Sequence, residues 1–144
     1  MSTSAQQWSN SGLYSIEYSS YCDRHYIKTF EKRYNKKVWG ITQRAITAVL
    51  QRADAAMLTT KLETIHENDG HKIAKLEFAV AGRQESAKTS GNRAIVYINE
   101  ELRSANVLLV YSKNEICAPN ETQKWQKEIQ ENHFEIWSLF SRKN

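Results

Sequence analysis

Between residues 87 and 116, in "AKTSGNRAIVYINEELRSANVLLVYSKNEI", three cations flank two apolar runs: Lys88, Arg93 and Lys113. Tyr111 stands two residues before Lys113, and Lys75, Glu77 and Arg83 precede the stretch. This set suits a phosphodiester. Arginine can hold a phosphate bidentately, and lysine supplies a point charge to an anionic transition state. Tyr111 has the chemistry to stack on a base or to pass a proton, and Glu77 to act as a base. His25, His66, His71 and His133 are scattered, with His71 beside a turn the best placed of them to line a cleft. No Cys/His cluster or acidic motif has metal-ligand spacing, and no Walker or GxGxxG pattern occurs. Cleavage by these groups would use the 2′-OH of RNA as nucleophile, which makes DNA a poor substrate.

The same residue types have plainer uses. Lys and Arg at strand ends commonly serve as solvated edge residues. Tyr97 and Tyr111 suit core rings with a wet hydroxyl, and Glu77 can pair with Lys75 or a cross-strand cation. Convergence of the candidates depends on strand register, which alternation leaves open.

The elements that would position them can be read from periodicity. "LYSIEYSSY" alternates, which predicts a short strand with Tyr14, Ile16 and Tyr18 facing inward. Tyr26, Ile27, Phe30 and Tyr34 recur at helical spacing after Asp23. Gly40 then punctuates a second helix whose stripe is Ile41, Ala45, Val49, Ala53 and Met57, widened by Ile46 and Leu50. Asp69-Gly70 is a hairpin turn before a strand over 73–80, with Leu76, Phe78 and Val80 on one parity. A Gly/Ser-rich loop follows, then the hairpin "RAIVYINE"/"NVLLVYSK". Pro119 ends it, and Asn120 with Gln123 resembles a capping box opening a last helix. The aromatic end, with Trp137, Leu139 and Phe140, is too apolar to float free and is expected to dock on the domain or on a partner. The order predicts an α+β fold: an N-terminal strand and helical hairpin packed on one face of a small antiparallel sheet, plus a C-terminal helix. The opposite sheet face is expected to be free.

The chain has 144 residues, 40% hydrophobic and 25% charged, with a net charge of +4. One domain over 13–144 is expected, behind a Ser-rich mobile tail over 1–12. The basic excess permits a nucleic-acid partner without requiring one. No apolar run approaches the roughly 18 residues of a membrane span, and no signal peptide is apparent, so a cytoplasmic protein is expected. Cys22 and Cys117 are far apart and read as free thiols. No cofactor is indicated.

Residues 73–130 carry a family resemblance. "KLEFAVAG", "KTSGNRAIVYI" and "NVLLVYSKNEI" are similar to the RelE/ParE superfamily of toxin–antitoxin toxins and, within it, the HigB-like branch. That branch has a Lys-Ser-Gly-Gly-x-Arg-Val-Ile-Tyr stretch and a strand ending Tyr-Ala-Lys-Asn-Glu. The resemblance implies a RelE-like fold and a cytoplasmic, metal-independent mRNA endoribonuclease that acts in the ribosomal A site and is neutralised by an antitoxin protein. Position by position, it implies that Lys88 and Arg93 hold the scissile phosphate, Tyr111 orients the nucleotide and Lys113 balances the leaving side. Lys75 matches a basic position on the second core strand. The chain departs from many ribosome-dependent members in having no His between His71 and His133, leaving acid/base work to Lys, Tyr or Glu. A ParE-like gyrase inhibitor and a catalytically silent interaction module are the alternatives on the same fold.

Overall fold

The computed structural model describes residues 12–113, 115–116 and 119–141. The expected tail, Gly12 apart, and Cys117 lie outside the described residues.

Strand β1 (Ser15–Tyr18) opens the fold, with Tyr14 buried just before it and Ile16 and Tyr18 packed against the core. Ser19 caps α1 (Ser20–Cys22) by accepting from the Cys22 amide, and Cys22 is a buried free thiol. A π-helical turn over Asp23–Ile27 leads into α2 (Lys28–Tyr34), burying Tyr26, Ile27 and Phe30 as the spacing predicts.

The break between the helices is not at Gly40. It falls at Asn35, whose φ of 70° a short polar side chain tolerates and whose Oδ1 accepts from the Val38 amide. Helix α3 (Lys36–Gln51) therefore begins earlier than expected, and its buried stripe is Trp39, Thr42, Ile46 and Leu50. Ile41 is left 42% exposed and Ala45 is exposed, because starting the helix at Lys36 rotates the inward face onto Trp39. The buried Thr42 hydroxyl is satisfied, donating to the Val38 carbonyl and accepting from the Ala81 amide. A short α4 (Ala53–Met57) follows.

Strands β2 (Leu62–Asn68) and β3 (His71–Phe78) meet at the Asp69-Gly70 turn, both residues at positive φ as a two-residue hairpin requires. The expected loop contains a one-turn helix, α5 (Ala87–Ser90), before β4 (Asn92–Asn99) and β5 (Ser104–Tyr111). The sheet order is β1-β5-β4-β3-β2, antiparallel except that β1 joins β5 in parallel. Helix α6 (Glu121–Asn132) buries Trp125 and Ile129, and α7 (Phe134–Ser141) follows it. Asn120 stands at φ 64° with no side-chain cap bond, so the expected capping box does not form.

The α+β reading holds, but the sheet is covered on both faces. On one side Phe78 meets Trp39 and Phe30, and the Tyr18 hydroxyl bonds Thr47. The expected free face is occupied by α6 and α7. There Tyr111 bonds Glu121, His66 meets Gln126 and the edge of Trp137, and Tyr97 packs against Phe140. The docking foreseen for the aromatic end thus takes place on the sheet itself. Among the described residues no helix is long and apolar enough to cross a membrane.

Candidate functional site

The strand register brings several candidates together at one end of the sheet. Glu77 on β3 stands opposite Arg93 on β4, and Arg93 stands opposite Tyr111 on β5. Lys75 lies two residues back on the same side of β3, opposite Ile95. Alternation then places Lys75, Glu77, Arg93 and Tyr111 on the face that α6 covers.

Arg93 is the centre of this row. Its Nη2 lies 3.4 Å from Glu77 Oε2 and its Nε 3.8 Å from Glu121 Oε2, while Nη1 donates to the Asn92 carbonyl at 3.1 Å. The side chain is 14% exposed, and Nε, buried, has no hydrogen-bond partner. Tyr111 is fully buried and its hydroxyl donates to the same Glu121 oxygen at 2.5 Å. Burial, then that bond to Glu121, raises its pKa, so the phenol stays protonated. Lys75 pairs with Glu63 at 3.7 Å. Two cations therefore meet three carboxylates. A nucleotide cannot stack on Tyr111 while α6 is in place.

The loop cations come close by a different route. The Ser90 hydroxyl donates to the Phe78 and Ala87 carbonyls and accepts from the Asn92 amide, pinning α5, and with it Lys88, onto β3. Gly91 ends α5 at φ 79°, and a Cβ built there would stand 2.8 Å from Lys113 Cδ. The exposed Lys113 thus lays its stem across the backbone beside Lys88's helix.

Strand β2 begins at Leu62, opposite Leu76, so no residue of β2 pairs with Glu77 or Phe78. A cleft of about 630 Å³ opens at this uncovered edge. Lys75, Glu77 and Lys88 line it, with Lys61 and Glu63, against an apolar wall that includes Ala45 and Val49 of α3. Arg93, Tyr111 and Lys113 stand outside its lining.

Two candidates lie elsewhere. Arg83 stacks 4.7 Å above the Tyr34 ring, at a separate groove beside α2. His71 sits at the far end of β3, about 20 Å from Glu77 at some 3.3 Å per residue, where Nδ1 bonds the Tyr97 hydroxyl at 2.7 Å. It lines no part of the cleft.

Sequence reasoning missed Glu121 and Arg33. Glu121 opens α6, where an acidic residue satisfies the helix dipole, so its type alone signals nothing further. Arg33 donates to Ser112 Oγ at 3.3 Å and pairs with Glu115 at 3.6 Å, bracing the end of β5. Among the described residues no group of three or more His, Cys, Asp or Glu is arranged to hold a metal ion.

No family model and no curated protein matches the chain. Among solved structures it is similar to a chain of the archaeal RelE–RelB complex from Pyrococcus horikoshii OT3. The TM-score is 0.49 at 7% identity, over 70% of this chain and 96% of that one.

Proposed function

We propose that this chain is the toxin of a type II toxin–antitoxin pair, a RelE-type endoribonuclease that cuts messenger RNA on the ribosome without a metal and is held in check by an antitoxin protein. The observation that carries the reading is the cross-strand pair of Glu77 and Arg93, 3.4 Å apart, with Glu77 lining a cleft shared by Lys75 and Lys88. Glu77, Arg93, Lys75 and Lys88 share one patch, in which Glu77 serves as base by its chemistry while Lys75, Lys88 and Arg93 are positions that the motif resemblance marks. In the reaction Glu77 takes the proton of the 2′-OH, whose oxygen attacks phosphorus. The P–O5′ bond breaks, leaving a 2′,3′-cyclic phosphate and a 5′-alkoxide that gains a proton from solvent or from a nearby lysine. Arg93 and Lys88 stabilise the charge that develops on the phosphorane oxygens, and Lys113 balances the leaving side.

The test is purified protein against free RNA and against programmed ribosomes, with Arg93→Ala beside it. Removing Arg93 is expected to cost about 2–4 kcal/mol of transition-state stabilisation, roughly 10²–10³ in rate. DNA of the same sequence should survive. A folded Arg93→Ala protein that cuts as fast as the parent sinks the assignment.

The burial of Tyr111 and the two carboxylates around Arg93 favour a second reading, a silent interaction module in which these residues only staple α6 to the sheet. It requires no cleavage in either assay. A gyrase inhibitor would instead arrest growth with an SOS response and leave mRNA intact.

A further inference from the structure

Away from the sheet-end site, charge concentrates where α2 turns into α3. Lys28, Lys32, Arg33, Lys36, Lys37 and, across the groove, Arg83 are all exposed. Among the described residues only Arg33 of these has an ion pair, with Glu115. Setting Glu31 and Glu115 against the six cations leaves +4. The chain holds 20 Lys and Arg against 16 Asp and Glu, so its whole net charge of +4 equals that of this corner and the remainder cancels.

A solvated helical face usually alternates charge to gain i,i+4 pairs. Here Lys28 and Lys32 are like charges one turn apart in α2, an arrangement that costs about 0.2–0.5 kcal/mol, and Glu31, three residues after Lys28, is the only carboxylate in the helix. The surface is also shaped. Lys28, Lys32 and Lys36, with one carboxylate, Glu31, line a groove of about 300 Å³, and Lys32, Arg33, Tyr34 and Arg83 are among the residues lining another of about 440 Å³, so the two join at Lys32. Stacking on Tyr34 holds the Arg83 guanidinium, which has no hydrogen bond or ion pair among the described residues. Tyr34 is itself fixed by stacking on Phe30 of the core. The cations continue toward the candidate site: Arg33 bonds Ser112, the residue before Lys113, and Lys113 lies over Gly91 beside Lys88's helix.

We propose that this corner is a phosphate-backbone track that grips the RNA strand beyond the scissile bond. The proposal rests on the reading of RNA as substrate. It assigns Lys28, Lys32, Lys36 and Arg83 to strand binding independent of base sequence, with no part in the bond-breaking step.

The experiment measures anisotropy of a short fluorescent single-stranded RNA with the full chain across a salt series. The triple variants K32E/K36E/R83E and K32Q/K36Q/R83Q are compared with the parent after thermal melts establish folding. The neutral set is expected to weaken binding about ten-fold or more, alike for unrelated sequences. The slope of log K against log salt should become shallower by about 0.7 for each phosphate that the variant no longer neutralises. Unchanged affinity and slope in both folded variants overturns the track. So does polyglutamate competing as well as RNA of equal charge, which would mark a general polyanion surface. If the variants lose binding while the parent never cuts RNA, the track stands and the nuclease reading falls.

Discussion

At the scale of single residues, Arg93 decides how the site works. Sequence patterning placed it at a strand start and left its neighbours open. The register supplies Glu77 on one side and Tyr111 on the other, and α6 adds Glu121 from above. Glu77 and its cross-strand cation were legible as an option because facing strands often pair opposite charges. Glu121 was not, since nothing local says that the first turn of α6 lands on β4. Its carboxylate faces the region a phosphate must enter to reach Arg93. Glu121→Gln keeps an acceptor for the Tyr111 hydroxyl but removes the charge. The loss of a charge-assisted bond is expected to cost about 1–2 kcal/mol in denaturant unfolding. Affinity for single-stranded RNA, measured at fixed salt, should rise. If Glu121→Gln binds RNA more weakly while folding normally, Glu121 serves to aim Arg93 and does not compete with the substrate.

At the scale of elements, short polar contacts set what periodicity could not. Helices α2 and α3 were expected from their apolar spacing, yet the break moved from Gly40 to Asn35 because capping chemistry outweighs a tolerated mid-helix glycine. Tyr21 and Tyr26 both donate to Glu128 of α6, at 2.6 and 3.1 Å, clasping α1 and the π-helical turn to the second helical layer. Burial first, and then Glu128, pushes Tyr21 up to about 12. Tyr14, bonded to Asp54, is likewise pushed by burial up to about 12. The folded state thus binds these protons more tightly than an unfolded chain, whose phenols titrate near 10. Their stabilisation is complete below pH 10 and is lost as pH rises toward 12. Melting temperatures of the parent and Tyr21→Phe should differ most at neutral pH and converge through that alkaline window. A gap that stays constant across the window would show that the Tyr21 proton is not what the clasp holds.

At the scale of the whole molecule, the sheet lies between two helical layers, and only one was legible. The hairpins could be read because alternation and the Asp69-Gly70 turn are local signals. The parallel pairing of β1 with β5 joins residues far apart in sequence and leaves no such mark. The second layer was hidden because the fully buried side chains of α6 are only Trp125 and Ile129, which in sequence look like the edge of a solvated helix. Helix α7 is apolar, yet none of its residues is fully buried and Phe134 is 67% exposed. The two helices should therefore separate in a stability measurement. Trp125→Ala removes a ring with no exposure and is expected to cost about 3–5 kcal/mol. Deleting 133–144 strips the half-buried Trp137 and Phe140 from His66 and Tyr97, costing about 2–4 kcal/mol and raising hydrophobic-dye binding while unfolding stays cooperative. Because Glu121, Arg93 and Glu77 sit at the opposite end of the sheet face from Tyr97 and His71, the deletion should leave RNA cleavage at the parent's rate. A cooperatively folded deletion variant that no longer cuts would extend the site across the whole face and make α7 part of it.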